Sequence, residues 1–361
     1  MEIHEYVSLK EKRLSKGLSR IRDFQVFDFN YIPQEPLMRE ELKPIIDGLL
    51  RYQKTAIANH LLIFGSRGSG KTLSVKYLQR VFRDRGLTVL YVNCRSHNTS
   101  FKMLAHLLGV RPRGTSLEEL WQRFTARHPG PTVLIIDEVD LISEKDRTKD
   151  ILYLVSRSRE NYMAILLSNS PKFLASVDES IRSTLQPEVI HFRNYTAPEI
   201  QQILEERARL GLRKVPRVAL GRIAALTARN TNSDVRVAIK TLYYTALEPG
   251  ARTEDHFERA RKDILADVIN DLNDKNLLIL RAAIGDSEKH VKAVYQTYRR
   301  LSLDAREEPF SYVYFYSNLS YLQSLGLILL VSTKVGRAYT NKIRLLFAPE
   351  TFLSIWQKRF G

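Results

Sequence analysis

The chain has 361 residues, 44% of them hydrophobic and 27% charged, with one cysteine and a formal net charge of +16. This length allows two or three hydrophobic cores. A single cysteine excludes an intramolecular disulfide, no apolar stretch approaches the ~18 residues of a membrane span, and the cation excess is more than a nucleotide alone requires, so an anionic macromolecule is the expected partner.

In chain order, residues 1–25 carry Lys10, Lys12, Arg13, Lys16, Arg20 and Arg22 among polar residues and predict a basic arm, mobile or helical. The start of the chain has no continuous apolar core, so no signal peptide is expected. From about Val26 to Asn194 strand-like and helical patterns alternate, which predicts a parallel α/β sheet. Cys94 follows the strand-like Val89–Asn93 and reads as a packed thiol in a reducing cytoplasm.

Residues 60–72 read His-Leu-Leu-Ile-Phe-Gly-Ser-Arg-Gly-Ser-Gly-Lys-Thr. An apolar run leads into Gly65-x-x-x-x-Gly70-Lys71-Thr72 and a helical pattern follows, the P-loop signature in its strand–loop–helix setting. Gly65, Gly68 and Gly70 let the backbone N–H groups of the loop, with Ser66 and Ser69, wrap phosphates. Lys71 reaches the β- and γ-phosphates, and the Thr72 hydroxyl is placed for a magnesium ion. The helix beginning near Gly70 adds its positive end to the same place.

Pro131–Asp140 is an apolar run ending in acids, the pattern of a strand buried on both faces. Asp137 at its C-terminal end would hold Mg²⁺ beside the P-loop, and Glu138 would polarise the attacking water. A third strand, Ala164–Ser170, ends in Asn169. In a parallel sheet that end lies on the same rim. Asn169 either bonds the γ-phosphate or attacking water, or begins the turn before Pro171.

At Tyr195-Thr-Ala-Pro-Glu199 the texture changes. Thr196 with Glu199 predicts a capping box with Pro198 in the first turn, and helical patterns dominate residues 195–271. Residues 272–361 read as three helices (277–283, 287–301 and 311–325) and a β-hairpin (327–331 with 339–347), the order of a winged helix. They hold 13 Lys/Arg against 7 Asp/Glu, a net +6. On the third helix Phe315, Leu319 and Leu322 share one face with Tyr312 and Tyr316 beside it. Tyr314, Ser317 and Tyr321 fall roughly opposite with Asn318 at the flank, and that face would enter a major groove. The wing offers Lys334, Arg337, Lys342 and Arg344 for phosphates or a minor groove.

The P-loop, Asp137-Glu-Val-Asp140, the Ser168-Asn169 strand end and Ser233-Asp-Val-Arg236 together resemble a AAA+ ATPase. The group most similar is that of the archaeal initiators related to eukaryotic origin-recognition and cell-division-cycle-six proteins. The resemblance covers most of the chain. It implies an α/β core with a parallel sheet (26–194), a helical lid (195–271) and a winged helix (272–361), with ATP or ADP between core and lid as a slowly hydrolysed switch. It implies duplex DNA at a replication origin as the partner, with paralogous initiators and the replicative helicase as further partners. No membrane is implied, and the location is cytoplasmic, on the nucleoid. On the resemblance Tyr31, Ile32 and Pro33 line the adenine pocket, Asn169 is the sensor on the third strand, and Arg236 nears the γ-phosphate from the lid. Arg182 is the arginine offered in trans, and Arg111 and Arg113 touch DNA. The alternative is a AAA-like signalling ATPase whose winged helix contacts protein.

Overall fold

An N-terminal helix α1 (Ile3–Leu18) precedes a strand–helix alternation that runs to residue 195. The computed structural model describes every residue except 1–2, 144–145, 147, 171–172, 249, 286–288, 336–337 and 361. The chain divides into two units, residues 28–195 and residues 1–27 with 196–361.

The first unit contains α2 (Leu42–Thr55), β1 (Leu61–Gly65), α3 (Lys71–Asp84), β2 (Thr88–Asn93), α4 (Ser100–Leu108) and α5 (Leu117–Arg127). It continues with β3 (Thr132–Asp137), α6 (Asp150–Ser156), β4 (Met163–Ser168), α7 (Glu179–Leu185) and β5 (Glu188–Phe192). The five strands form one parallel sheet in the order β2-β3-β4-β1-β5. Strands β3 and β4 are buried at every residue, which is why they read as unbroken apolar runs. One face packs Leu62, Leu134, Ile136 and Leu166 against α4, α5 and α6. The other packs Leu61, Ile63, Val133 and Ile165 against α2 and α3. Register sets Asn93 of β2 beside Asp137 of β3, so the polar strand ends share one rim. Cys94, just beyond β2, is fully buried and its thiol is pushed well up by burial.

The second unit begins with α1 and adds α8 (Ala197–Gly211), α9 (Arg217–Asn230), α10 (Val235–Leu247) and α11 (Thr253–Asn270). Thr196 and Glu199 form the capping box at α8, each side chain meeting the other residue's backbone N–H, with Pro198 in the first turn. The N-terminal residues pack within this unit. Gly17 lies so close to Leu247 that a Cβ would meet its carbonyl oxygen at 2.1 Å. Arg22 donates to the carbonyls of Arg209 and Leu210, ending α8 with a cation where the helix dipole favours one. Arg207 donates to the Val26 carbonyl.

The same unit ends with α12 (Asp274–Ala283), β6 (Lys289–His290), α13 (Val291–Asp304), α14 (Tyr312–Ser324), β7 (Ile328–Val335), β8 (Ala338–Leu345) and α15 (Pro349–Phe360). Three helices and a three-stranded antiparallel sheet, β6-β8-β7, make the winged helix. Gly326 closes α14 with φ +72°. Helix α15 is an element that sequence pattern does not anticipate. It buries Phe352 and Ile355 in the winged-helix core, and Arg359 donates to the carbonyls of Asn270 and Leu272. Among the described residues no helix is long and apolar enough to cross a membrane.

Candidate nucleotide and DNA sites

The P-loop leaves β1 at Gly65 and enters α3 at Lys71. Gly70 caps that helix with φ +88°, and a Cβ there would stand 2.1 Å from the Tyr195 hydroxyl, so only glycine fits. Lys71 is buried, and its Nζ donates to the carbonyls of Gly65 (2.7 Å) and Ser66 (2.9 Å) and to Asn169 Oδ1 (3.1 Å). Burial pulls its amine down to about 8 against the opposing pull of Asp137, Asp140 and Glu138. Asn169 donates its own N–H to Asp140 Oδ1, which fixes the side chain beside Lys71.

The structure brings Thr72 and Asp137 together: Thr72 Oγ1 donates to Asp137 Oδ2 at 2.9 Å. Tyr91 donates to the same oxygen at 2.7 Å. A hydroxyl and a carboxylate converging on one point suit a hard divalent cation that completes its shell with phosphate oxygens and water. Glu138 follows with φ +53°, a left-handed conformation costly for a residue with a side chain. Burial raises its carboxyl above the ordinary range, while the Arg95 guanidinium, 2.9 Å from Oε2, opposes that shift.

The remaining residues expected at the nucleotide site lie on a loop and on two helices. Tyr31, Ile32 and Pro33 form an irregular, partly to fully buried stretch before α2. Arg236, at the start of α10, is held by Asp234 through Nε (2.9 Å) and Nη2 (2.5 Å). Arg182 is exposed on α7, whose Ile181 and Leu185 face inward.

In the winged helix α14 is turned differently from the sequence expectation. Asn318 is buried and donates its amide to the Tyr314 carbonyl, so it does not stand at an accessible flank. Tyr314 is half-buried, with its ring edge-on to Phe310 at 4.4 Å, and Tyr321 packs against the core. Neither faces outward, because a tyrosine ring gains more by covering apolar surface than by standing in water. Ser317 is exposed as expected. On the wing Lys334 and Arg344 are exposed and Lys342 is half-buried, while Arg337 lies outside the described residues. Arg111 and Arg113 are exposed in the loop after α4, and Arg111 joins His97, Lys102 and His106 in lining an open cavity of 560 Å³.

A family model described as "AAA domain" matches residues 56–175, the segment from β1 through β4. An ORC1-type DNA replication protein 1 of Sulfurisphaera tokodaii is 28% identical over 93% of this chain and 94% of its own length. A protein of the same description from Sulfolobus acidocaldarius is 29% identical over 80% of each. Residues 56–175 thus match a AAA domain, and the chain as a whole is similar to archaeal ORC1-type replication proteins. Its fold matches the Aeropyrum pernix ORC1 protein solved in complex with DNA, with a TM-score of 0.69 at 24% identity and coverage of 94% and 97%. It also matches Aeropyrum pernix ORC2, solved as ADPNP–ADP complexes, with a TM-score of 0.58 at 25% identity and coverage of 94% and 99%.

The chain supports its P-loop from beneath with a pair that sequence pattern does not single out. Arg39 is buried, donates to the Ser69 carbonyl (3.0 Å) and the Arg193 carbonyl (2.8 Å), and pairs with Glu41 at 3.1 Å. Its guanidinium stands 4.4 Å from the Tyr195 ring centroid. Burial pushes the Glu41 carboxyl up, but hydrogen bonds from its own backbone and from Arg193, with the Arg39 charge, hold it below the ordinary range. The signal available in sequence is Leu37-Met-Arg-Glu-Glu41, where an arginine and two glutamates stand next to an apolar helix start. Tyr91 and Asp140 also escape a reading by motif. Asp140 belongs to the acidic run, but only the fold shows it reaching Asn169.

Proposed function

We propose that this protein binds ATP with Mg²⁺ at the P-loop and duplex DNA through its winged helix, as an origin-recognition protein whose ATP state sets its activity. The observation that carries the nucleotide half is the convergence of Lys71, Asn169, Thr72 and Asp137 on one rim of the sheet. Lys71 would trade its two loop carbonyls for β- and γ-phosphate oxygens. Thr72 and Asp137 would hold the ion, which neutralises charge on the phosphates. Glu138 would turn its carboxylate from Arg95 to orient water, and Asn169 would fix the γ-phosphate or that water. Placing these groups is most of what phosphoryl transfer asks of a protein. Slow hydrolysis fits a state marker.

The names of the replication-protein relatives support the DNA half, and the excess of cations in the winged helix supports it independently. Residues 26–194, 195–271 and 272–361 then act as nucleotide core, lid and DNA reader. Arg236 would sense the γ-phosphate after letting go of Asp234, Arg182 would serve a neighbouring copy, and Arg111 and Arg113 would add phosphate contacts. Paralogous initiators and the replicative helicase are the partners such a role requires.

Lys71→Ala tests the nucleotide half. Losing a charged hydrogen-bond donor costs about 1.5–3 kcal/mol, so ATP affinity measured by titration calorimetry should drop roughly 10- to 100-fold. Unchanged affinity would remove the site from the P-loop.

A further inference from the structure

Helix α14, the second helix of the helix-turn-helix, contains no charged residue: it reads Tyr-Val-Tyr-Phe-Tyr-Ser-Asn-Leu-Ser-Tyr-Leu-Gln-Ser. Its inner face is fixed by Phe315, Asn318, Leu319 and Leu322, all buried. At the helical period the face directly opposite carries Val313, Ser317, Ser320 and Ser324. Val313 is 78% exposed in the first turn, the part of such a helix that enters a groove foremost. Of the polar side chains that could read a base edge by paired hydrogen bonds, Gln323 is exposed but lies in the last turn about a quarter-turn away from Val313, and the others are engaged elsewhere. Asn318 donates to the Tyr314 carbonyl, and Tyr316 bonds Asn341. Ser317 and Ser324 donate to the carbonyls of Val313 (3.3 Å) and Tyr321 (2.7 Å), which lays their hydroxyls along the helix.

Guanine is read in the major groove by Arg or Lys at O6 and N7, and adenine by Asn or Gln at N6 and N7. The face of α14 directly opposite its buried side, which carries Val313 in the leading turn, offers none of these. Its projecting chemistry is the pair of Val313 methyl groups, and the one major-groove feature complementary to them is the C5-methyl of thymine. The basic wing, with Lys334 and Arg344 exposed, supplies charge complementarity to the backbone of the same duplex.

We infer that α14 reads thymine methyl groups through Val313, so that the sequence preference of this protein lies in methyl contacts rather than in guanine-specific charged ones. This rests on the winged helix being the DNA-binding element. Adenine–thymine pairs beneath Val313 are held by apolar contact, and guanine–cytosine pairs at those positions are disfavoured because they carry no methyl group there.

The test uses the full chain and the duplex that it enriches most from a random-sequence pool. That duplex is compared by fluorescence anisotropy with one carrying deoxyuridine for every thymidine, and with one carrying 7-deazaguanine for guanine. Burial of one methyl-sized group supports a loss of about fourfold in affinity for each methyl that Val313 covers. The deoxyuridine duplex should therefore bind several-fold more weakly, and the 7-deazaguanine duplex should bind as tightly as the parent. Val313→Ala should remove most of the difference between thymidine and deoxyuridine without changing the salt dependence. Equal affinity for the thymidine and deoxyuridine duplexes, or a difference that Val313→Ala leaves intact, would overturn the inference while leaving DNA binding in place. If no duplex is enriched at all, or if enrichment is indifferent to Lys334→Ala with Arg344→Ala, the winged-helix reading itself fails and Val313 belongs to a protein-contact face.

Discussion

The nucleotide site and the winged helix present their charges in opposite ways. Around the P-loop Lys71, Asp137, Arg39 and Glu41 are all buried, and their geometry is set by hydrogen bonds within the core. On the winged helix Lys334 and Arg344 stand in solvent, and the outward surface of α14 carries no charge. A buried, preorganised site gains strength from low dielectric and loses most of it when one group is removed. An exposed basic surface acts through additive, salt-screened interactions, none of them decisive. The difference would suit the two proposed ligands. A triphosphate is one small object held in one pose, whereas a duplex is a long polyanion met at many points.

The largest effect is expected at Glu138. Glu138→Gln keeps the Asp137 metal position and removes the group that would orient water, so hydrolysis should drop about 10²- to 10⁴-fold with ATP binding retained. A variant hydrolysing at the parental rate would remove Glu138 from catalysis. The next effect belongs to the support beneath the P-loop. Arg39→Met removes one of the two guanidinium partners of buried Glu41 and leaves it Arg193, which should cost the core about 1.5–3 kcal/mol in denaturant unfolding. Arg39→Met with Glu41→Gln should recover much of that stability, and a double variant no more stable than the single one would show the pair to be uncoupled.

A smaller effect comes from His60, at the edge of β1. It is buried, and its Nδ1 accepts the Ala164 N–H at 3.0 Å, so it is neutral in the fold, with burial lowering its pKa from 6.5 to about 4. The unfolded chain binds the extra proton between those values. The stabilisation is therefore complete above about pH 6.5 and lost as pH falls toward 4, with roughly 2 kcal/mol gone at pH 5. His60→Gln keeps an acceptor without titrating and should flatten the core's stability between pH 5 and 7. An unchanged pH profile would place the acid sensitivity elsewhere.

The nucleotide site is the more legible of the two in sequence, and the reason is physical. Phosphate binding at a helix N-terminus demands glycines, a lysine and a hydroxyl at fixed spacing, and strands buried on both faces demand unbroken apolar runs, so β1, β3 and β4 announce themselves. Strand β5 gives a weaker signal, since only Ile190 and Phe192 are buried in it. Helix α15 is invisible because its buried Phe352 and Ile355 make sense only against a core built from distant segments. The facing of α14 is hard to read because five of its thirteen residues are aromatic. Tyrosine serves a core edge and a surface equally well, so periodicity alone does not decide which rings turn inward. The N-terminal residues read as an arm by charge, yet Gly17, Arg22 and Val26 dock onto α8 and α10 through backbone interactions that composition does not encode.

The proposed joining of a buried ATP site to an exposed DNA-binding wing in one chain is tested most directly by DNA affinity measured across a salt series. Lys334→Ala with Arg344→Ala leaves the winged-helix core untouched, since both side chains are exposed. Each phosphate no longer neutralised should flatten the slope of log affinity against log salt by about 0.9, so the double variant should show a slope shallower by roughly one to two units and bind all duplexes more weakly. A double variant whose affinity and slope match the parent at every salt concentration would contradict the account.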